Sequence, residues 1–315
     1  MGTQRRIMIP DTDLGALFPL GLGSMKAEST WDKAQTYRIF DTYFDRGGNL
    51  YDTARVYSIF SKSEEWIGDW LKETGKRNQV VIISKGGHPD LTAKPFPDMH
   101  RFRLSKEEMT ADLETSLRTL QTDHIDIYLY HRDDPARSVE ELVDTMESFV
   151  QAGKIRYYGC SNWSLPRIEQ AMDYAKSMGY RGFVMNQGLL NAASDDAGPL
   201  QDDTLIKIDP QMRAYHKAHP EILATAYSGI ALGFFAQYLR GGADAVRDKS
   251  YLTDANIARA KQMEQRAKEK GITLLQETLS YFKTLEHDCI PLFTPRDEAG
   301  ICEAMDSPLG TGVSG

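Results

Sequence analysis

The sequence is poor in cysteine, with three such residues in a chain of 315, Cys160, Cys289 and Cys302. They form no Cys-x-x-Cys pair and show no spacing typical of metal ligands, so a disulfide-rich scaffold and a cysteine-based metal site are excluded. We expect buried, reduced thiols with a structural role, and we predict no metal site.

Long apolar runs and an excess of positive charge are also missing. No apolar run reaches the roughly 18 residues of a membrane-spanning helix. Arg5 and Arg6 precede no apolar core of the kind found in a signal peptide, so we expect a cytoplasmic protein without a membrane partner. The formal net charge of −8 argues against nucleic acid as the main partner, because a phosphate backbone is bound by a basic surface. A local basic pocket for one phosphate group is still compatible with this charge.

Short apolar runs alternate with longer amphipathic segments along almost the whole chain. This alternation is typical of repeated β-α units that build a parallel sheet. Because each apolar run is nearly uninterrupted, we expect strands that are covered on both faces. The predicted strands are Leu17 to Gly23, Asn49 to Tyr51, Val80 to Ser84, Ile125 to Tyr130, Arg156 to Cys160, Phe183 to Asn186, Ile222 to Ala226 and Cys289 to Leu292.

Amphipathic segments predict the helices between these strands. Ser105 followed by Glu108 is a capping box, and Gly75 and Gly271 stand where helices should end. The predicted helices are Trp31 to Arg46, Ser63 to Glu73, Ser105 to Leu120, Val139 to Ala152, Leu165 to Met178, Asn256 to Lys270, Leu274 to Leu285 and Glu298 to Met305.

Eight β-α units predict a (β/α)₈ TIM barrel with its active site at the C-terminal rim of the strands. The length alone would also allow two domains, but the single repeated pattern favours one domain over residues 1–315. We further predict that residues 1–16 form an N-terminal hairpin over the barrel floor. The connections at 86–104 and 191–220 are long and follow strand ends. Such loops are often functional lids, and the alternative is a solvated surface excursion.

Polar side chains stand at the ends of three neighbouring strands. Asp52 follows the second strand, with Tyr57 shortly after it, while Lys85 ends the third strand and His131 the fourth. Because the carboxyl ends of parallel strands meet at one rim, we expect these four side chains to form an acid/base site. Each residue alone is equally well explained as a turn, cap or packing residue, but the combination favours function.

The expected chemistry depends on the pKa of the tyrosine. A tyrosine with a pKa near 10 is a poor proton donor at neutral pH. A nearby ammonium group stabilises the phenolate and lowers that pKa, and a carboxylate holds the ammonium group charged and in place. Lys85 and Asp52 fit these two roles for Tyr57. His131 can hydrogen-bond the substrate oxygen and orient it.

Several motifs occur between roughly residues 15 and 306: Tyr51-Asp52-Thr53-Ala54-x-x-Tyr57, Val80 to Lys85, Ser116 to His131, Gly153 to Asn162, Asn186-Gln187 and Ala226-Tyr227-Ser228. Together they resemble the signature of the aldo-keto reductase superfamily. The resemblance implies a (β/α)₈ barrel that reduces aldehydes or ketones with NADPH, with Tyr57 as the general acid.

The resemblance also implies where the nicotinamide would bind. Ser161, Asn162 and Gln187 match residues that hydrogen-bond its carboxamide group, and Tyr227 matches the aromatic residue on which the ring stacks. The chain has no Gly-x-Gly-x-x-Gly motif, which agrees with a cofactor site on a barrel instead of a Rossmann fold.

The phosphate groups of the cofactor are expected to bind after the last two strands. The resemblance implies that Thr294 and Arg296 hold a 2′-phosphate, although Ala304 stands where the family has an asparagine. NADP(H) is therefore the preferred cofactor, with NAD(H) as the alternative. The pyrophosphate is assigned to Ser228, Gly229, Ile230 and Gly233.

Two departures from the family pattern bear on the substrate. Ser58 replaces the glycine that usually follows the catalytic tyrosine, and a polar run that begins at Arg132 follows the histidine. An arginine and two carboxylates there favour a small, polar substrate, sugar-like or anionic, unless Arg132 and Asp133 only pair with each other. The residues assigned to the substrate are Met25, His88 and Arg132.

The predicted function is therefore the NAD(P)H-dependent reduction of an aldehyde or ketone to the alcohol, with the proton supplied by Tyr57. One alternative is a regulatory module or sensor that binds the nicotinamide cofactor without turnover. Another is a sugar dehydrogenase or epimerase that uses the same residues.

Overall fold

The computed structural model describes residues 4–310. Eight parallel strands form a closed barrel in which neighbours in the sequence are also neighbours in the sheet, and β8 closes on β1. The predicted (β/α)₈ fold is confirmed. The strands are β1 (Gly21–Gly23), β2 (Leu50–Asp52), β3 (Val81–Gly86), β4 (Ile125–Tyr130), β5 (Ile155–Ser161), β6 (Phe183–Leu189), β7 (Leu223–Tyr227) and β8 (Cys289–Phe293).

Helices connect the strands on the outside of the barrel. Ser105 caps one of them with the predicted capping box, and Gly75 and Gly271 end two others in the left-handed conformation. Among residues 4–310, no helix is long and apolar enough to cross a membrane. The helices are α1 (Lys33–Asp45), α2 (Ser63–Thr74), α3 (Lys106–Leu120), α4 (Val139–Gln151), α5 (Leu165–Ser177), α6 (Pro210–Ala218), α7 (Phe234–Ala245), α8 (Asp254–Lys270), α9 (Leu274–Ser280) and α10 (Glu298–Met305).

The strands separate two hydrophobic cores. Alternate residues of a strand point to opposite faces, so Ile83 and Ile127 belong to a cluster inside the barrel, whereas Ile82 and Tyr128 pack with the helices outside it. The interior cluster fills the barrel, which leaves the strand ends as the place for a site.

The segment before β1 packs against the lower part of the interior cluster. Ile7 and Leu17 form an antiparallel bridge in which each backbone N–H donates to the other's carbonyl, at 2.9 and 2.8 Å. Ile9 and Leu14 are buried in the same cluster. Residues 1–3 of the predicted hairpin lie outside the described part of the chain.

The structure corrects several predicted elements. The first strand is shorter than predicted because Leu17 pairs with Ile7 instead. The predicted loop 191–220 contains α6, whose first turn is capped by the Asp209 carboxylate at 2.8 Å from the Met212 nitrogen. Helix α7 was not predicted, and the predicted helix Leu274 to Leu285 ends as a 3₁₀ turn after Ser280. Cys160 and Cys289 are buried free thiols, while Cys302 is only partly buried.

Gly159 in β5 lies at a close contact between neighbouring strands. A Cβ atom at this position would lie 2.1 Å from the carbonyl oxygen of Met185, its partner in β6. A backbone atom cannot move aside cheaply, so we expect Gly159→Ala to lower the free energy of unfolding by about 1–3 kcal/mol in urea titrations. Gly198→Ala is the matched control, because its Cβ would meet nothing closer than 3.5 Å. Equal stability of the two variants would contradict the packing argument.

Candidate active site

A buried ion pair joins the ends of β2 and β3. The ammonium group of Lys85 donates to Asp52 Oδ2 at 2.7 Å and to the carbonyl oxygen of Thr53 at 2.7 Å. The side chain of Lys85 is completely buried and that of Asp52 is 5% exposed. Burial lowers the pKa of Lys85, and the Asp52 carboxylate opposes this by stabilising the charged form.

A third strand is attached to the same carboxylate. Gln187, near the end of β6, donates from Nε2 to Asp52 Oδ2 at 3.0 Å. Lys85 and Gln187 therefore share one oxygen atom of Asp52, and β2, β3 and β6 are connected through a single buried group. The prediction that Asp52 and Lys85 meet at the rim agrees with this geometry.

Tyr57 lies on a 3₁₀ turn, Arg55–Ile59, that directly follows β2. The Lys85 ammonium nitrogen lies 5.5 Å from the centre of its ring. Burial raises the pKa of Tyr57 far above the ordinary tyrosine value, and the Asp52 charge raises it further, while Arg132 lowers it. The expected lowering of this pKa is therefore wrong for this structure, because the desolvation of the phenolate and the Asp52 charge outweigh the effect of Arg132.

The raised pKa has a chemical consequence for Tyr57. A phenol with so high a pKa stays protonated throughout the physiological pH range. Tyr57 therefore holds its proton before any reaction but is a weaker acid than an ordinary tyrosine, so a nearby ammonium group must stabilise the phenolate as the proton leaves.

His131 follows the end of β4 and faces Tyr57. The two ring centres are 6.1 Å apart, and the backbone N–H of His131 donates to Gly86 at 2.9 Å. Burial lowers the pKa of His131 well below the ordinary histidine value, and the neighbouring imidazole and cations act in the same direction. The imidazole is therefore neutral. Among the described residues, its buried Nδ1 atom has no hydrogen-bond partner.

A cavity of about 670 Å³ opens beside this group. Its wall brings together most of the residues that the sequence assigns to cofactor and substrate, together with three of the four acid/base residues. The predicted site residues in the wall are Met25, Asp52, Tyr57, His131, Arg132, Ser161, Asn162, Gln187, Tyr227, Ser228, Gly229, Ile230 and Thr294.

Four predicted residues do not line this cavity. Gly233 precedes α7 and has a φ of +81°, and Arg296 is exposed and contributes its carbonyl oxygen to the Trp31 indole at 3.1 Å. Lys85 and His88 line a second cavity of about 370 Å³ on the other side of the catalytic group. His88 contacts His131, with ring centres 4.8 Å apart, so it lies behind the histidine that faces the larger cavity.

The side chain of Asn162 is fully occupied by protein partners. Its Nδ2 atom donates to the carbonyl oxygen of His131 at 3.2 Å and to Ser161 Oγ at 3.1 Å. Its Oδ1 atom accepts from the Tyr227 hydroxyl at 2.7 Å and from the Ile206 nitrogen at 3.0 Å. An amide group has two N–H donors and two acceptor lone pairs, so a nicotinamide carboxamide bound here would have to replace one of these partners.

The side chains of the polar run after His131 separate in the structure, with Arg132 in the cavity wall and Asp133 outside it. Arg132 pairs with Asp202 at 3.2 Å and with the Thr204 hydroxyl at 2.9 Å, not with Asp133. Asp133 instead binds Arg167 with both oxygens, at 3.0 and 2.9 Å. Arg132 and Asp133 point in different directions, so the Asp133 carboxylate is turned away from the cavity. The Asp202 carboxylate largely neutralises the charge of Arg132.

The cavity wall also contains residues that the sequence did not reveal. Lys26 and Arg247 contribute positive charge, and Leu205 and Leu232 contribute apolar surface. Lys26 directly follows Met25 in the loop between β1 and α1, so its position after a strand was a usable signal. Arg247 lies far beyond β7 in the sequence, and no local pattern connects it with the site.

The residues of this wall fit a nicotinamide dinucleotide. Hydroxyl and amide groups stand at the ends of β5 and β6, and the cations Lys26 and Arg247 suit phosphate groups. Among residues 4–310, no cluster of three His, Cys, Asp or Glu side chains is arranged to hold a metal ion.

The titration of His88 can be tested through stability. Burial, helped by Arg132, lowers its pKa from 6.5 to about 4. Between these values the unfolded chain binds a proton that the folded protein does not bind, so stability falls as the pH falls. We expect wild type to lose about 2 kcal/mol more unfolding free energy than His88→Gln between pH 7 and pH 5.

Urea titrations at both pH values measure this difference. The exposed His100→Gln is the control variant and should lose stability with pH as wild type does. If wild type and His88→Gln differ in unfolding free energy by the same amount at pH 7 and at pH 5, the titration argument is contradicted. A loss of packing caused by the substitution would be the same at both pH values.

Comparison with known proteins places this geometry in context. The chain is 32% identical over 240 residues to aldo-keto reductase ausK of Aspergillus calidoustus, covering 73% of this chain and 57% of that protein. It is 30% identical over 190 residues to an NADP(+) aryl-alcohol dehydrogenase of Phanerodontia chrysosporium, covering 56% of this chain and 49% of that protein. The chain therefore spans about half the length of these curated relatives.

A solved structure and a family model extend the comparison to most of the chain. The thermostable aldo-keto reductase Tm1743, crystallised with the inhibitor epalrestat, superposes with a TM-score of 0.71 at 21% identity, covering 96% of this chain and 93% of that chain. This likeness shows the shared fold. The model of the Aldo/keto reductase family matches residues 19–303, and the chain belongs to that family.

Proposed function

We propose that the protein is an NADP(H)-dependent oxidoreductase that reduces an aldehyde or ketone to the alcohol. The observation that carries the proposal is the buried Lys85–Asp52 pair beside the rings of Tyr57 and His131, all at one end of one barrel. A buried ion pair has a large desolvation cost. This pair lies beside the Tyr57 ring, where a reductase needs a positive charge to stabilise the phenolate.

The bound nicotinamide would supply a hydride from C4 to the carbonyl carbon. Tyr57 gives its hydroxyl proton to the carbonyl oxygen, which forms the alcohol and leaves a phenolate. The Lys85 ammonium group stabilises that phenolate, and Asp52 holds the ammonium group charged and in position. The neutral His131 imidazole donates one hydrogen bond to the carbonyl oxygen and so orients it for both transfers.

The cavity wall supports a dinucleotide with phosphate groups. Ser161, Gln187 and Tyr227 line the cavity and would hold the nicotinamide end, and Ser228 to Ile230 would hold the pyrophosphate. Thr294 lines the cavity and is our candidate for the 2′-phosphate. The related dehydrogenase of Phanerodontia chrysosporium is named for NADP(+), which supports NADP(H) over NAD(H) for this chain.

The mouth of the cavity favours a substrate with an aromatic or apolar body. Met25 and Leu232 line the cavity and are 43% and 56% exposed. Phe60, 42% exposed, lies with its ring centre 5.8 Å from that of Tyr57. Leu232 also adopts a φ of +52°, which is strained for a leucine. Exposed apolar side chains beside a reactive group are explained by a ligand that covers them, and the Phanerodontia chrysosporium relative is named for aryl alcohols.

Removal of the phenolic hydroxyl tests the reaction. Tyr57→Phe should lower kcat for NADPH-dependent reduction of an aromatic aldehyde by at least about 100-fold, because no other side chain then supplies the proton. Absorbance at 340 nm measures turnover, and nucleotide fluorescence should show unchanged NADPH binding. Tyr174→Phe is the control, since the Tyr174 hydroxyl binds Asp144 and Tyr174 does not line the cavity among the described residues.

Two results would contradict the proposal. Equal turnover in wild type and Tyr57→Phe would remove Tyr57 as the acid. Tight NADPH binding by wild type without turnover of aromatic, aliphatic or sugar aldehydes would favour a sensor.

The substrate class is tested at Met25. Met25→Gln keeps the length of the side chain but places a polar group at the cavity mouth, so the ratio of kcat/KM for benzaldehyde to that for glyceraldehyde should fall about tenfold. Met178→Gln is the matched control, because Met178 is similarly exposed, at 49%, and lies at the end of α5. A wild type that prefers glyceraldehyde would instead support the polar substrate predicted from the sequence.

A further inference from the structure

Two cations in the wall of the larger cavity, Lys26 and Arg247, have no carboxylate partner among the described residues. Of the described residues in this wall, Asp52 alone has a carboxylate, and it is already bound to Lys85 and Gln187. Within residues 4–310, neither Lys26 nor Arg247 forms an ion pair; the Lys26 ammonium group reaches only the carbonyl oxygen of Pro295, at 3.2 Å. The cavity therefore has an uncompensated positive charge that suits a multiply charged anion.

Arg247 reaches the cavity from a segment outside the barrel. It follows α7, and its backbone N–H donates to Gln237 Oε1 at 2.8 Å. The amide nitrogen of Gln237 donates in turn to the carbonyl oxygen of Leu232 at 2.8 Å. Leu232 lines the cavity, so the Gln237 side chain fixes the backbone of Arg247 to the wall that follows β7.

The same segment is attached to the loop after β6. The Gly198 nitrogen donates to the carbonyl oxygen of Ser250 at 2.7 Å. Asn191 Nδ2 donates to the Tyr251 hydroxyl and to the carbonyl oxygen of Ser228, both at 3.1 Å. Hydrogen bonds therefore hold the backbone in place at Arg247 and in the residues after it. Little backbone entropy is lost when a ligand binds, because this segment is already ordered.

We propose that Arg247 binds the pyrophosphate group of the nicotinamide cofactor. This inference rests on the proposed function. A guanidinium group is charged at every relevant pH and binds phosphate oxygens through two parallel N–H groups. Arg247 is connected through Gln237 to Leu232, in the segment after β7 that also contains Ser228, Gly229 and Ile230. Lys26 is instead bonded to Pro295, which follows Thr294. Arg247 thus binds the pyrophosphate group, which NADPH and NADH share.

Affinity measurements with both cofactors test this assignment. Arg247→Ala should raise the Kd for NADPH and the Kd for NADH by about tenfold each, read by nucleotide fluorescence. Arg247→Lys should keep part of the affinity. Arg240→Ala is the matched control, because Arg240 is an exposed arginine of α7 that does not line the cavity and its loss changes the net charge equally.

Further measurements separate a direct contact from a structural effect. The dependence of Kd on salt concentration should become weaker in Arg247→Ala but not in Arg240→Ala, because one charge contact is lost. Gln237→Ala keeps the charge but frees the segment, so it should raise both Kd values by a smaller factor at unchanged salt dependence.

Distinct results overturn the assignment. A rise in Kd for NADPH alone would place Arg247 at the 2′-phosphate, and unchanged Kd values for both cofactors would remove it from the site. If wild type binds neither cofactor, the proposed function fails, and this result is seen before any variant is measured.

Discussion

The burial of one positive charge is the constraint on which the rest of the structure depends. The ammonium group of Lys85 is removed from water, and a buried charge is tolerated only when its partners are in place. Asp52 supplies the compensating charge and is itself held by Gln187. Three strands must therefore close in one register before the charge is satisfied. The same closure brings Tyr57 and His131 together, so folding and the assembly of the acid/base group are one event.

The sequence predicted the parts of this arrangement that follow from strand direction. Short apolar runs ending in Asp52, Lys85 and His131 were sufficient, because every parallel strand delivers its end to the same rim. Helix α7 and the approach of Arg247 could not be predicted, since they depend on contacts between segments far apart in the chain. The pKa of Tyr57 was predicted in the wrong direction, because burial, which outweighs the effect of charge here, cannot be judged from a motif.

The prediction of a polar substrate relied on residues that are adjacent in the sequence but not in their contacts. Arg132 and Asp133 are consecutive, but they bind Asp202 and Arg167 and belong to different environments. A polar run in the sequence thus gave little polarity to the cavity. The apolar side chains at its mouth come from three separate segments, after β1, β2 and β7, and their proximity is a property of the closed barrel.

Asn162 shows how tightly such an arrangement can restrict a single position. Its φ of +62° excludes branched and bulky residues, and its amide group uses both donors and both acceptors on protein partners. Glycine fits the backbone but lacks the amide, aspartate fits the backbone but has no N–H to donate, and glutamine is too long to reach the same atoms. We therefore expect that almost no substitution of Asn162 preserves this arrangement, although Asn162 transfers neither a proton nor a hydride.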